Sequence, residues 1–283
     1  MRIKNLLFFA GLLLLILFAC NKEHSLEDIK QIKTDTLSKD YPFATGYCNG
    51  VSLAISIADT NNYLPDTSAP LPASILLDMP AAGNQGAQGS CSAWATVYGA
   101  GTYYIHLKTG MPYSDTGNLS PRFTYNQIAR GNCTCTSILD NLYLLKTQGA
   151  CTLGTMPYDP NECSKQPDSL QKDVAQSYQI NGWQKLDLHN LTLIKRAVSE
   201  KKPVLFAINI GDGFEMIQPP YIWQASVGST GKPHAMIIAG YDESKKAFRI
   251  MNSWSAAWGD KGFAWISYDF FLKNVLDTGY III

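Results

Sequence analysis

A thiol, an imidazole and a carboxamide each stand in a distinctive local setting along this 283-residue chain. Cys91 closes Asn84-Gln85-Gly86-Ala87-Gln88-Gly89-Ser90-Cys91 and opens an apolar segment. His234 lies in Pro233-His234-Ala235-Met236-Ile237-Ile238-Ala239-Gly240-Tyr241, and Asn252 begins Asn252-Ser253-Trp254-Ser255-Ala256-Ala257-Trp258-Gly259. A thiol becomes a strong nucleophile when an imidazole takes its proton, and a third group must then fix the imidazole's tautomer. Taken singly, each residue has a plain structural reading: a buried Cys is usually inert packing, and a His beside an apolar run is usually a hydrogen-bonded core group. Taken together, and with Gln85 as a nearby amide donor, they predict acyl-transfer chemistry on a thiolate. His24, His106 and His189 have no comparable context. Cys133-Thr134-Cys135 lacks a matching second pair, so no metal site is expected.

The elements that would position these groups follow from periodicity. From Ser92 to Thr109, apolar residues recur at three and four until Gly110, which predicts a mostly buried helix with Cys91 at its amino end. Unpaired N–H groups and the helix dipole at that end favour an anion and so should lower the thiol pKa. A second helix is predicted over Ser137 to Thr147, and a third over Leu191 to Glu200 with Asn190 as its cap. Pro203 to Ile210 reads as a strand, as do Ala235 to Ala239, Ala247 to Met251, Gly262 to Ser267 and Tyr280 to Ile283. Helices lead and strands follow, an α+β order in which a helical lobe and a β lobe can face each other.

Composition narrows the setting. The 23 basic and 23 acidic residues balance, with no basic patch for nucleic acid. Arg2 and Lys4 precede an apolar run from Leu6 to Ala19, the layout of a secretory signal that is too short to span a bilayer comfortably. It ends Leu17-Phe18-Ala19-Cys20, which resembles the lipobox of bacterial lipoproteins. Residues 1–19 would then be a signal peptide and Cys20 a lipidated first residue holding the chain to a membrane of the bacterial envelope, on the periplasmic face or the cell surface. Residues 20–70 are polar and turn-rich and read as a spacer or short pro-segment, with one strand candidate from Val51 to Ile57; the catalytic domain is expected over residues 71–283. Export implies an oxidising compartment, yet a free Cys91 leaves five other thiols beyond Cys20, which cannot all pair within the chain.

The segment from Leu71-Pro72-Ala73-Ser74 to the carboxyl end, about 210 residues, resembles the papain-like cysteine peptidases. Gln85, Cys91, His234 and Asn252 stand in that family's order. The resemblance implies a two-lobe fold, with a helical lobe facing an antiparallel β-barrel-like lobe across an active-site cleft. It implies a hydrolase needing no cofactor, with peptide or protein as substrate. Cys91 corresponds to the nucleophile, His234 to the base, Asn252 to the residue orienting the base and Gln85 to the oxyanion donor. Trp254 corresponds to an indole over the His–Asn contact that also lines the cleft, and Ala235 to a substrate-pocket residue. Cys163 corresponds to a half-cystine bonding back to Cys133 or Cys135, with Cys151 competing for the same partners and Cys48 left over. Departures accompany the match. Gln88 stands where many members carry a bridging cysteine, and Ser92 replaces an aromatic residue whose volume Trp94 could refill. No Gly-Gly pair occurs near Cys135-Thr136-Ser137, where backbone should bind substrate as an added strand, and the long inhibitory pro-region of many members does not fit within residues 21–70. A non-proteolytic peptide-binding module on the same fold, or a thiol amidase or transferase, is the alternative reading.

Each acyl methylene buried in a bilayer contributes about 0.8 kcal/mol, so lipid at Cys20 alone should hold an otherwise unanchored domain to membranes. Cys20→Ser is expected to move the protein into the soluble fraction of a bacterial host. Retention in the membrane fraction would point instead to an uncleaved signal anchor or a protein partner.

Overall fold

The computed structural model describes residues 44–49, 61–211, 213–225, 231–276 and 278–283. The signal segment, Cys20 and the strand candidate from Val51 to Ile57 lie outside the described residues.

The helical lobe grows from one long rod. Helix α1 (Cys91–Ala93) passes without a break into a π-helical stretch (Trp94–Gly101) and then α2 (Thr102–Thr109). Every residue from Cys91 to Tyr103 is buried, which fits the nearly charge-free sequence. Gly110 ends the rod at φ 73°, a left-handed turn that a residue without Cβ adopts cheaply. Around it pack α3 (Pro121–Ala129), α4 (Ile138–Thr147) and the short α5 (Ser169–Ala175). Ser137 caps α4 by accepting the Asp140 N–H, and Asp168 with Gln171 makes a reciprocal capping box on α5.

The second lobe is built on an eight-stranded sheet in the order β2 (Trp183–Asp187), β8 (Thr278–Ile282), β3 (Val204–Ile210), β5 (Lys232–Asp242), β6 (Ala247–Met251), β7 (Phe263–Ser267), β4 (Ile222–Trp223), with β1 (Ser74–Leu76) paired on β5. Its helices are α6 (Leu191–Ser199), capped by Asn190 as expected, and α7 (Tyr268–Asn274). The two-lobe expectation holds, but the barrel-like closure does not. The sheet is an open path whose end strands β2 and β4 do not pair with each other, and β4 joins β7 in parallel. Strand β5 is the spine: residues 232–238 pair with β3, while its carboxyl half pairs with β6 and β1. Residues 61–70 pack on this lobe, with Tyr63 buried in its core and donating its N–H to the Lys185 carbonyl at 2.8 Å.

Two disulfides join loops of the helical side, Cys133–Cys163 and Cys48–Cys135; Cys91 and Cys151 are free and buried. The first is one of the two pairings open to Cys163. The second overturns the expectation that Cys48 is left over: Cys151 is the odd thiol, sealed at 0 % exposure inside the helical core. Cys133–Cys163 closes a separation of 30 residues, and such a loop stabilises by about 3–4 kcal/mol through lost unfolded-chain entropy. Cys163→Ser should lower the urea-unfolding free energy by about that amount without changing Cys48–Cys135 in a non-reducing peptide map. A loss under about 1 kcal/mol would mean that this bridge contributes little to the lobe.

Candidate active site

The catalytic candidates come from both lobes and meet where the lobes touch. Cys91 is the first residue of the long rod. His234 lies near the start of β5 opposite Ile208, and Asn252 follows the last residue of β6. Ladder geometry explains the second pair: Ile237 pairs with Met251, so extending the register brings the chain after Met251 alongside His234. There the His234 Nε2 atom lies 2.8 Å from Asn252 Oδ1. An amide oxygen can only accept, so Nε2 carries the proton and Nδ1 keeps its lone pair. Asn252 Oδ1 also accepts the Ser253 N–H at 2.8 Å, which fixes the carboxamide's orientation. Trp254 covers the imidazole, ring centroids 4.9 Å apart.

Three further contacts tie the two lobes together. The Ala235 N–H points at Cys91 Sγ across 3.4 Å, so the residue after the imidazole touches the thiol. Gln85 donates its backbone N–H to the Ser253 carbonyl at 2.9 Å, and Ser255 donates to the Gly83 carbonyl at 2.7 Å. The Gln85 side chain is held at both ends: Oε1 accepts from Ser253 Oγ at 2.6 Å, and one Nε2 hydrogen goes to the Gln88 carbonyl at 2.9 Å. Its other amide hydrogen is not used by these two bonds. Ser253, Tyr158 and the segment 44–49 belong to this site and went unnoticed in the sequence. Ser253 was legible in principle from its place between Asn252 and Trp254. Tyr158, whose hydroxyl lies 2.8 Å from both Ser90 Oγ and the Gln85 carbonyl, had no local signal.

Departures in the motif have structural answers. Gln88 donates to the Asp159 carbonyl at 3.1 Å and faces the Tyr158 hydroxyl, so hydrogen bonds occupy the place of the missing bridge. Ser92 donates to the Thr136 carbonyl at 2.7 Å, and Trp94 packs on Tyr98 and Tyr158 with centroids 4.8 Å apart in both cases.

The cleft is covered. Residues 44–49 cross it: the Thr136 N–H donates to the Gly46 carbonyl at 3.0 Å and the Cys48 N–H to the Thr136 carbonyl at 3.1 Å, a parallel pairing of Tyr47 with Thr136. Trp254 Nε1 donates to the Ala44 carbonyl at 3.0 Å. Gly46 presses on Gly89 so closely that a Cβ there would stand 2.1 Å from the Gly89 carbonyl carbon. Cys91 and His234 are accordingly 0 % exposed, Trp254 2 % and Ala235 1 %. Burial pushes the Cys91 thiol up to about 11, partly opposed by backbone N–H groups of Ala235 and Gly46, and pushes the His234 imidazole down to about 4 despite its bond to Asn252. Both groups are therefore neutral at pH 7 in this arrangement. The lowering expected at the helix terminus is opposite to the direction found here, where desolvation is the largest cause.

Comparisons with known proteins bear on the family and the fold. Residues 77–274 match the family described as papain family cysteine protease. Cathepsin J of Rattus norvegicus is 30 % identical over 200 residues, covering 66 % of this chain and 56 % of that protein. Cathepsin K of Mus musculus is 25 % identical over 185 residues, covering 64 % and 54 %. The chain thus spans little more than half the length of these relatives, and 38 % of the gamete and mating-type specific protein A of Dictyostelium discoideum. Among solved structures, xylellain, a cysteine protease from Xylella fastidiosa, superposes with a TM-score of 0.72 at 22 % identity, covering 84 % of this chain and 95 % of that one. The bromelain protease from Ananas comosus, solved with the E64 inhibitor, gives 0.59 at 21 %, covering 75 % and 99 %. At such identities these two establish the fold.

Alkylation needs the thiolate, and a thiol titrating at about 11 is ionised at pH 7 in only about one molecule in ten thousand. The iodoacetamide rate at Cys91 in protein purified without reductant should therefore be very low at pH 7, at least about tenfold below that of the same thiol in the urea-unfolded chain. Labelling at the unfolded chain's rate would mean that the thiol is neither covered nor desolvated as the structure has it.

Proposed function

This chain belongs to the papain family of cysteine proteases, and from that premise we propose that it hydrolyses peptide bonds with Cys91 as nucleophile, held to the bacterial cell envelope by lipid on Cys20. The observation that carries the catalytic part is the junction of His234 Nε2 with Asn252 Oδ1 beside a thiol touched by the Ala235 N–H. With Nε2 committed to Asn252, only Nδ1 can take the thiol proton. Among the described residues Nδ1 has no hydrogen-bond partner, which leaves its lone pair available for a proton.

The chemistry follows from those atoms. Cys91 Sγ attacks the scissile carbonyl carbon as its proton passes to His234 Nδ1, and the carbonyl oxygen becomes an oxyanion. The Cys91 backbone N–H and the spare Gln85 amide hydrogen receive that charge; donors fixed in advance cost no reorganisation when the charge develops. Collapse expels the amine, which leaves with the proton from His234, and an acyl-thioester stays on Cys91. Water, deprotonated by the same Nδ1, then releases the acid and restores the thiol. Asn252 keeps the imidazole in the tautomer and plane that both proton transfers need, and Trp254 shields that bond from competing water. Trp254 and Ala235 would border bound peptide once the cleft is open. A non-proteolytic binding module would have no use for the Gln85–Ser253 bond that immobilises the oxyanion donor.

Assayed with peptide libraries after reduction, Cys91→Ala should abolish hydrolysis while leaving the melting curve unchanged. Gln85→Ala should lower kcat by about 100- to 1,000-fold with a smaller effect on KM, as loss of one oxyanion donor does. Cys91→Ala activity within about tenfold of the parent would refute the assignment.

A further inference from the structure

Residues 44–49 make the site unreachable, and a covalent bond keeps them there. We propose that Cys48–Cys135 is a thiol-operated latch: the cleft opens when a dithiol reductant exchanges with this bridge, and cutting the backbone alone does not open it. The inference rests on the reading of Cys91 as the nucleophile of that cleft.

Its position gives the first argument. Thr136, directly after Cys135, spends both its backbone N–H and its carbonyl on the crossing segment, and Gly46, two residues before Cys48, sits over Gly89 and meets the thiol through its N–H. The bridge therefore pins the segment at the point where it passes the Cys91–His234 pair. Topology gives the second. A cut anywhere between residues 49 and 134 leaves residues 44–48 bonded to Cys135, and a tethered ligand at high effective concentration stays bound through contacts that would be too weak alone. Only scission of the S–S bond removes the tether.

Access gives the third. Cys48 and Cys135 are both partly exposed, so either sulfur can be attacked, whereas in the other bridge only Cys133 is partly exposed and Cys163 is 2 % exposed. A reductant thiolate attacks one sulfur and forms a mixed disulfide; its second thiolate resolves that bond. Cys48 and Cys135 leave as thiols, the two electrons come from the dithiol, and the dithiol departs as a disulfide. Cys91 is not consumed, and water returning to the cleft removes the desolvation that holds the thiol and imidazole neutral.

The test uses the full chain and reads the alkylation rate of Cys91 by mass spectrometry, apart from catalysis. In protein free of reductant, Cys48→Ser/Cys135→Ser should label at least about tenfold faster than the oxidised parent, and dithiothreitol should accelerate the parent but not the variant. Equal slow labelling of both would overturn the latch, as would oxidised parent labelling as fast as the variant. Fast labelling of the variant without peptide hydrolysis upholds the latch and refutes the proposed peptidase function. Should the double variant fail to fold, Cys48→Ala carries the test, because it removes the same bridge while the Cys91 peptide is still read apart from the freed Cys135. It should label faster than the oxidised parent, and labelling at the parent's rate would overturn the latch.

Discussion

A site that draws its nucleophile from a helix and its base from a sheet depends on whatever fixes the distance between the two. In this chain that is a short antiparallel splice, residues 83–85 against 253–255, whose two backbone hydrogen bonds make the Asn84–Trp254 bridge. Gln85 stands on one side, six residues before Cys91; Asn252 adjoins the other. Each such bond contributes only about 1 kcal/mol net, yet leaving its buried groups unpaired would cost about 1–3 kcal/mol each, so the register is far better defined than the stability suggests. The Ser253 hydroxyl on Gln85 Oε1 adds a side-chain rivet at the same place. Gln85, Asn252 and Trp254 thus share one short, hydrogen-bonded strip of backbone.

Desolvation decides the electrostatic state of that strip. A helix terminus contributes at most about 2 kcal/mol toward an anion, which is under two pKa units, whereas full burial can move a group by 3–5 units. Here the regular α-helix at Cys91 extends only to Ala93 before the rod widens, and the thiol is sealed. Burial wins, raising the thiol and lowering the imidazole, so proton transfer from Cys91 to His234 is disfavoured twice. The covering segment therefore does more than block entry. It holds the pair in the protonation state with the least nucleophilic sulfur.

How far the sequence disclosed this depends on how local each cause is. Helix α4 and helix α6 were legible to within a residue or two because Ser137 and Asn190 cap them and their apolar residues keep a helical period. Strands β3, β6 and β7 were legible for the matching reason, as short β-rich apolar runs. Helix α3 was missed: its buried face includes Arg122, Thr124 and Asn126, whose polar atoms find Pro157, Asn141 and Lys165 from distant segments. Phe123, Tyr125 and Ala129 are buried beside them, but with polar residues interleaved the apolar period is broken and gives little to detect. Strand β2, Trp-Gln-Lys-Leu-Asp, is a strand because β8 pairs with it from almost a hundred residues away, and its own composition is polar. The residues of the site were readable from their motifs, but the covering segment was not, since everything that holds it lies far along the chain.

The cysteines show how one local change propagates. The Gly89 backbone lies against Cys135, close enough that a Cβ on Gly89 would be 2.9 Å from the Cys135 nitrogen, so Cys135 is the half-cystine beside residues 88 and 89. With Gln at 88 no thiol is available on that side. Gln88 instead spends its amide on the Asp159 carbonyl and its oxygen on Tyr158, which holds the turn before Cys91 by neutral hydrogen bonds. Cys135 is then left to bond with a residue approaching from the cleft, and Cys48 is the one that arrives there, because Thr136 pairs with Tyr47. Counting thiols could establish that one of them is odd; which one depends on that pairing. The active-site turn is thus held by hydrogen bonds of Gln88, while the bridge at Cys135 ties residues 44–48 across the cleft above it.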